Sequence, residues 1–321
     1  MKQETKRTYR VSNPDYNKAL EQRGEVDLFL SDDVLEKWNA PHEGREGRPR
    51  IYSDAAIQAI LALRVMLGLP LRGTRGFIRF IFRVMKLSLR VPSASTLSRR
   101  LATLNIELPT LSSPDEPLVI AIDSTGFKIY GAGEWHVRQH GVSKRRTWIK
   151  CHLALDVKTL QVVAVVSTPN GVNDCDVFEE LLEQIPNPLK AVAADGAYDT
   201  FWDHRLLEER ECAALIPPCE NAVEGKEVVR GTAVPGVAPR NAILKRIAEV
   251  GSKIWKEESR YHCRSLAENL MFRLKQLFGE RLASRRKDGK TQDNELRLRA
   301  FVLNVWTALG MPHSVPVSTA A

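Results

Sequence analysis

Hydrophobic residues fall along this chain in two rhythms, and the change between them comes near residue 110. SDAAIQAILALRVML, beginning at Ser53, places apolar residues on successive turns, which predicts a helix capped by Ser53 and closed at Gly68 and Pro70. GTRGFIRFIFRVMKL (73–87) repeats the helical pattern, with Phe77, Ile81 and Val84 on one stripe and Arg75, Arg79, Arg83 and Lys86 elsewhere. After Pro92, SASTLSRRLATL (93–104) opens a third helix that Ser93 or Ser95 can cap, with Arg99 and Arg100 one turn inside. Three short helices, the last led by Ser, Thr and Arg, fit a helix-turn-helix module.

Past PTLSSPDEP (109–117) the rhythm becomes that of strands. LVIAIDSTGFKIYG (118–131) reads as a strand ending on Asp123, and WIKCHLALDV (148–157) with QVVAVVST (161–168) as an antiparallel hairpin. NDCDVFEELLEQI (173–185) is a helix with Asn173 as cap, LKAVAADGAYD (189–199) a short strand ending on Asp195, FWDHRLLEER a helix and AALIP (213–217) the last strand. Residues 217–240 are rich in Pro and Gly and read as an insertion; helices over roughly 259–278 and 292–309, the latter amphipathic, finish the chain. This order predicts an α/β domain, a mixed sheet covered by helices on both faces, with an all-α module before it. Ligands in such sheets gather at the strands' carboxyl ends, where Asp123 and Asp195 are expected.

Composition narrows the class. The chain has 321 residues, 43% hydrophobic and 27% charged, which excludes a disordered or collagen-like polymer. No apolar run approaches the ~18 residues of a membrane helix, and MKQETKRTYR has no apolar core of a signal peptide, so a cytoplasmic protein with no membrane partner is expected. Five cysteines without a CxxC pair read as free thiols. Of the net charge of +8, residues 1–110 carry most, with 19 basic and 12 acidic side chains. A basic module on a nearly neutral body points to a polyanion, though solubility alone accounts for such charge equally well.

A carboxylate at a strand end commonly serves as a turn or cap residue. Asp123 and Asp195 differ in following the apolar runs VIAI and AVAA, where an ion is costly unless paired or bound to a cation. A third carboxylate sits on the helix around Glu268. On an unbroken helix Tyr261, Arg264, Glu268 and Lys275 share an arc of about 60°, opposite Leu266, Leu270, Leu274 and Leu277. That strip spans about 21 Å, too long for a small-molecule site, so only Glu268 can join the two aspartates. Three carboxylates without His or Cys suit Mg²⁺ or Mn²⁺, and a long basic strip beside them suits a phosphate backbone; a solvated face of helix salt bridges is the plainer alternative. HVRQHGVSKRRTWIK (136–150), with Lys144, Arg145 and Arg146, adds positive charge or is simply a solvated hairpin loop.

These residues also form a pattern. Y-x2-R-x3-E-x6-K is met in full by Tyr261, Arg264, Glu268 and Lys275, and it resembles the signature of bacterial insertion-sequence transposases of the DDE class. IDSTGFKIYGAGEWHVRQHGVSKRRTWIKCHLALD, ADGAYD and RSLAENLMFRLKQLFG are similar to the insertion-sequence-five family, most of all its 903-like branch, as are NPDYNKALEQRG (13–24) and GRPRIYSDAAIQAILALR (47–64). The resemblance implies a ribonuclease-H-like catalytic core, a metal-binding triad of Asp123, Asp195 and Glu268 holding two Mg²⁺ or Mn²⁺ ions, and contacts from Tyr261, Arg264 and Lys275 to transposon-end DNA.

The resulting expectation has four parts: an arm and linker (1–52), a helical DNA-binding module (53–110), a catalytic domain (111–310) with an insertion around 217–250, and a tail (311–321). The module, with Arg99 (as a base reader) and Arg100 among its DNA contacts, is expected to bind terminal inverted repeats even as a fragment of about residues 1–110, and Lys144, Arg145 and Arg146 of the catalytic domain are expected as further DNA contacts. The catalytic domain is expected to cut and join DNA as a homodimer on paired ends, near the bacterial nucleoid. A nuclease of the same fold that cuts without joining, and a non-catalytic DNA-binding regulator, remain the alternatives.

Overall fold

A computed structural model describes residues 9–11, 14–41, 49–130, 147–284, 286, 289–312 and 314–316. The chain begins with β1 (Tyr9–Val11), α1 (Pro14–Gln22) and α2 (Asp32–Glu36), followed by α3 (Asp54–Leu67), α4 (Leu71–Val84) and α5 (Ala94–Leu101). Ser53 caps α3 by accepting the Ala56 N–H at 3.1 Å, and Ser93 caps α5 by accepting that of Thr96 at 3.1 Å. Gly68, at φ 63°, ends α3 in the left-handed conformation that lets the chain turn by 109° into α4. The buried stripe of α4 is Thr74, Ile78 and Phe82 rather than the predicted Phe77, Ile81 and Val84; Val84 is exposed. The helix starts at Leu71, and the Thr74 hydroxyl donates to Pro70 O, which makes its burial cheap.

Five strands form the sheet: β2 (Leu118–Tyr130), β3 (Thr147–Asp156), β4 (Val162–Pro169), β5 (Leu189–Ala193) and β6 (Ala213–Leu215), in the order β4-β3-β2-β5-β6. The first three are antiparallel neighbours, while β5 runs parallel to both β2 and β6. Helices α6 (Phe178–Glu183) and α7 (Phe201–Glu209) cover one face, packing Phe178, Leu181 and Leu207 against Ile120, Ile122 and Val192. The insertion carries a hairpin, β7 (Val228–Val229) and β8 (Thr232–Ala233), and then α8 (Val237–Val250); α9 (Ser252–Glu258) follows it. The other face is covered by α10 (Ser265–Phe278) and α11 (Lys290–Leu309), and β9 (Ser314–Pro316) returns to pair with β1.

The predicted helix over 259–278 is broken. Arg260 takes a left-handed conformation (φ 59°), and Tyr261–Arg264 forms a 3-10 turn that ends where α10 begins. The predicted amphipathic helix 292–309 is instead a central one, with 13 of its 20 residues buried. Three of its buried polar residues are spent on backbone groups elsewhere in the chain. Asn294 donates to Leu101 O and Leu104 O, Asn304 bonds Pro109 O and both backbone groups of Val162, and Arg299 donates to Gly279 O and Arg281 O.

Because α11 is apolar on two sides, the expected boundaries at 52 and 110 do not divide the packing. The core of α3, α4 and α5 also takes in Phe29, Leu30 and Trp38 from the predicted arm, and Leu298, Val302 and Trp306 from α11. Trp38 is wholly buried, its indole N–H donating to Arg90 O at 2.8 Å. The helical module therefore completes its core with a helix from the far end of the chain.

Candidate active site

Asp123 lies within β2, seven residues before its end, not at the carboxyl end the pattern predicted. What ends there is the pairing with β5: the last parallel partners are Ala121 and Ala193, while β3 continues opposite Asp123 at Leu153. The β5 side of Asp123 is thus open, and Asp195 follows two residues beyond Ala193. The Asp195 carboxylate caps a 3-10 turn, Gly196–Tyr198, by accepting the Ala197 N–H at 3.0 Å.

Three alanines bring in the third element. Ala121 of β2, Ala193 of β5 and Ala267 of α10 are buried against one another. Side chains this small let the helix backbone sit close on the two strands, and Glu268, the next residue, is carried to the same edge. Its carboxylate bonds the Arg264 guanidinium, whose other arm lies 3.5 Å from Asp123 Oδ1. Arg264 thus supplies the positive charge between two of the three carboxylates.

Burial raises the Asp123 pKa, with Asp195 and Glu268 adding to it against the Ser124 N–H and the Arg264 charge. Burial works against the charge on Arg264 too, but Tyr261 and the three carboxylates outweigh it and raise its pKa. All hard donors here are oxygens, which fits Mg²⁺ or Mn²⁺. As placed, no three Asp, Glu, His or Cys side chains among the described residues stand close enough to hold an ion, Glu268 being turned to Arg264.

Tyr261 packs its ring on Trp255 at 6.0 Å, with Lys256 Nζ 5.5 Å over it, and burial raises its pKa. Lys275 lies three turns along α10 from Arg264, 5.7 Å from the Phe127 ring. Tyr261, Arg264, Glu268 and Lys275 therefore do not share one continuous α-helix, although Arg264 and Glu268 keep the i, i+4 contact their spacing predicts.

Of the other expected contacts, Arg99 is exposed, whereas Arg100 is committed to Asp54 and, at 3.0 Å, to Tyr52 O. Lys144, Arg145 and Arg146 lie outside the described residues. Lys150, the last base of that run, pairs with Asp174 at 3.0 Å, beside a buried His152 whose pKa burial lowers to about 4.

Sequence reasoning missed the support behind Asp195. Asp199, at the end of the same turn, receives two bonds from Arg240 at 2.8 Å, the Cys219 N–H at 3.0 Å and His204 Nε2 at 3.2 Å. Burial alone would raise its pKa, but these donors hold it below the ordinary value. Gly236 (φ 79°), at the start of α8, allows the approach: a Cβ there would stand 2.3 Å from Phe201 O. The second acid of DGAYD was the only sign in the sequence, and nothing local announces a partner 41 residues on.

Two family models, both described as a transposase DDE domain, match this chain over residues 21–132 and 114–305. Among solved structures, a piggyBac transposase synaptic complex with hairpin DNA is similar at 10% identity and a TM-score of 0.36, covering 95% of this chain and 78% of that one. The Drosophila P element transposase strand transfer complex is similar at 9% identity and a TM-score of 0.28, covering 92% and 87%. Overlaps that slight transfer no geometry.

Proposed function

Because this chain belongs to the transposase DDE domain family, whose members are metal-dependent polynucleotidyl transferases, we propose that it binds the terminal inverted repeats of its element, cleaves their ends and joins them to target DNA. The observation that carries this reading is the contact of Ala121, Ala193 and Ala267 where β2 and β5 part. Asp123 and Asp195 each follow two residues after one of these alanines and Glu268 directly after the third, which supports a shared site although the side chains as placed do not close around an ion. The sheet order, with β2 between an antiparallel hairpin and two parallel strands, supports a ribonuclease-H-like core. The bent set α3, α4 and α5 supports a helix-turn-helix module.

Asp123, Asp195 and Glu268 would hold the divalent metal, read from the family resemblance as two Mg²⁺ or Mn²⁺ ions. Bound there, the metal supplies an activated nucleophile and neutralises charge on the leaving oxygen. The chain's own residues do the positioning. Asp195 is steadied from behind by the bonds among Asp199, Arg240 and the Cys219 N–H. Arg264, already beside two carboxylates, can exchange Glu268 for a phosphate oxygen without leaving the site. Lys275, about 16 Å further along, extends the positive strip in the direction of the DNA. Two copies of the chain hold the paired ends.

The test is direct. The full chain is incubated with DNA bearing the element's end, with and without Mg²⁺, and the products are resolved. Metal-dependent nicking at the end, followed by joined species, is expected; nicking indifferent to the end sequence would overturn the reading.

A further inference from the structure

The basic charge of the helical module has a place the expected reader helix does not account for. Helix α4, LRGTRGFIRFIFRV, contains four arginines and no acidic residue. With Thr74 set at 0°, Arg75 falls at about 100°, Arg79 at about 140°, Arg72 at about 160° and Arg83 at about 180°, a single outward arc opposite Ile81. All four are exposed, and none has a carboxylate partner among the described residues; Arg83 lies over the exposed Phe80 ring at 5.9 Å. On α5, by contrast, Arg100 is spent on Asp54 and Tyr52 O.

A second observation comes from Gly76, at about 200° on the same arc. A glycine inside a helix costs backbone entropy and is kept where something must come close. Nothing among the described residues does so, since a Cβ on Gly76 would meet none of their atoms within 4 Å. Its φ is not positive, so no turn requires it either. A row of unpaired guanidinium groups about 6 Å apart along the axis, flanked by a bare stretch of backbone, is shaped for a polyanion laid against the helix.

We propose that α4 lies along the sugar–phosphate backbone of the terminal-repeat duplex, with Arg72, Arg75, Arg79 and Arg83 on phosphates and Gly76 permitting the close approach. The inference rests on the reading of this chain as an end-binding transposase and assigns a face to that binding. Contacts of this kind supply affinity and register, and the base sequence is read elsewhere.

The test uses the full chain and its R75Q/R79Q/R83Q variant. Binding to an end-bearing duplex and to a random duplex is measured by fluorescence anisotropy across a salt series. The variant is expected to lose affinity for both duplexes, roughly ten- to hundredfold, to flatten the salt slope by about 2–3, and to keep the ratio of end to random binding within about twofold. Arg246→Gln, which removes an exposed guanidinium already paired with Glu258, serves as the control and should change neither. Gly76→Ala should hold or raise the melting temperature while weakening end binding several-fold.

Equal salt slopes for wild type and variant would overturn the assignment, as would a loss confined to capture of target DNA. Phe80 and Val84 beside the arginines make an anionic lipid surface the rival partner. Binding to phosphatidylserine vesicles that is lost in the variant while DNA binding is kept would overturn the proposal in its favour. A wild-type chain that bound no DNA would instead overturn the transposase reading, and this face with it.

Discussion

Asp195 is held by one backbone N–H, from Ala197, and an asparagine oxygen can accept the same bond. Asp195→Asn therefore removes charge without removing the turn. We expect it to abolish cleavage and joining while end binding, measured by gel shift on the same samples, stays close to wild type. Glu268→Gln is expected to do the same and Glu257→Gln to leave most activity, because Glu257 is exposed on α9 and the left-handed Arg260 separates it from α10. A reversal of those two effects would sink the triad. Asp203 is a different kind of carboxyl, fully buried on α7 and pushed up to about 7 by that burial. Its folded-state pKa lies above the unfolded one, so the stability tied to its protonated form is complete below 3.8 and lost as pH rises through about 7. We expect Asp203→Asn to be more stable than wild type at pH 8 by roughly 2–4 kcal/mol and nearly equal to it at pH 4, read from urea midpoints at both pH values.

Among the elements, α7, α8 and the turn after β5 act as one block. The Asp199–Arg240 pair is their shared bond, with both side chains almost wholly buried. Removing one partner leaves the other's charge buried and short of donors, which is the costly way to break such a pair. We expect Arg240→Ala to destabilise the chain by about 3 kcal/mol in urea denaturation and to slow end cleavage even where the protein is fully folded. Slowed cleavage is the informative half. A variant that is less stable but cuts at the wild-type rate under folding conditions would show that the block supports the fold and not the position of Asp195.

At the scale of the molecule, α11 joins what the chain order separates. It buries Leu298, Val302 and Trp306 in the helical module and Leu296, Ala300 and Leu303 against the sheet. A fragment of residues 1–110 would expose the first of these contacts, so it should not hold the module's native core. We expect such a fragment to be helical by far-ultraviolet circular dichroism yet to lack a cooperative melt, and the full chain to melt in one transition. Asn294→Ala, which strands the carbonyls of Leu101 and Leu104, should cost about 1–3 kcal/mol in that same transition. Independent, cooperative folding of the fragment would disprove the shared core.

The features legible along the chain are those that depend on near neighbours. The Ser53 and Ser93 caps, the stop at Gly68, the strand rhythm after residue 117, the helix order and the Arg264–Glu268 spacing are all local, set by hydrogen bonds and periodicity within a few residues. The Y-x2-R-x3-E-x6-K motif was legible for the same reason, being written along one stretch of chain. Three other features needed the tertiary structure. That β2 runs on past Asp123 depends on which strand leaves it unpaired, and β5 lies about seventy residues away. That α11 is buried on two sides depends on the polar partners waiting for Asn294, Arg299 and Asn304, which hydropathy counts as solvent-facing. The third is the role of the arginines. Arg99, Arg100 and Arg79 read alike as letters; only packing decides that Arg100 is neutralised by Asp54 while Arg79 is left facing out. Charge is a property of the residue, and its availability is a property of the fold.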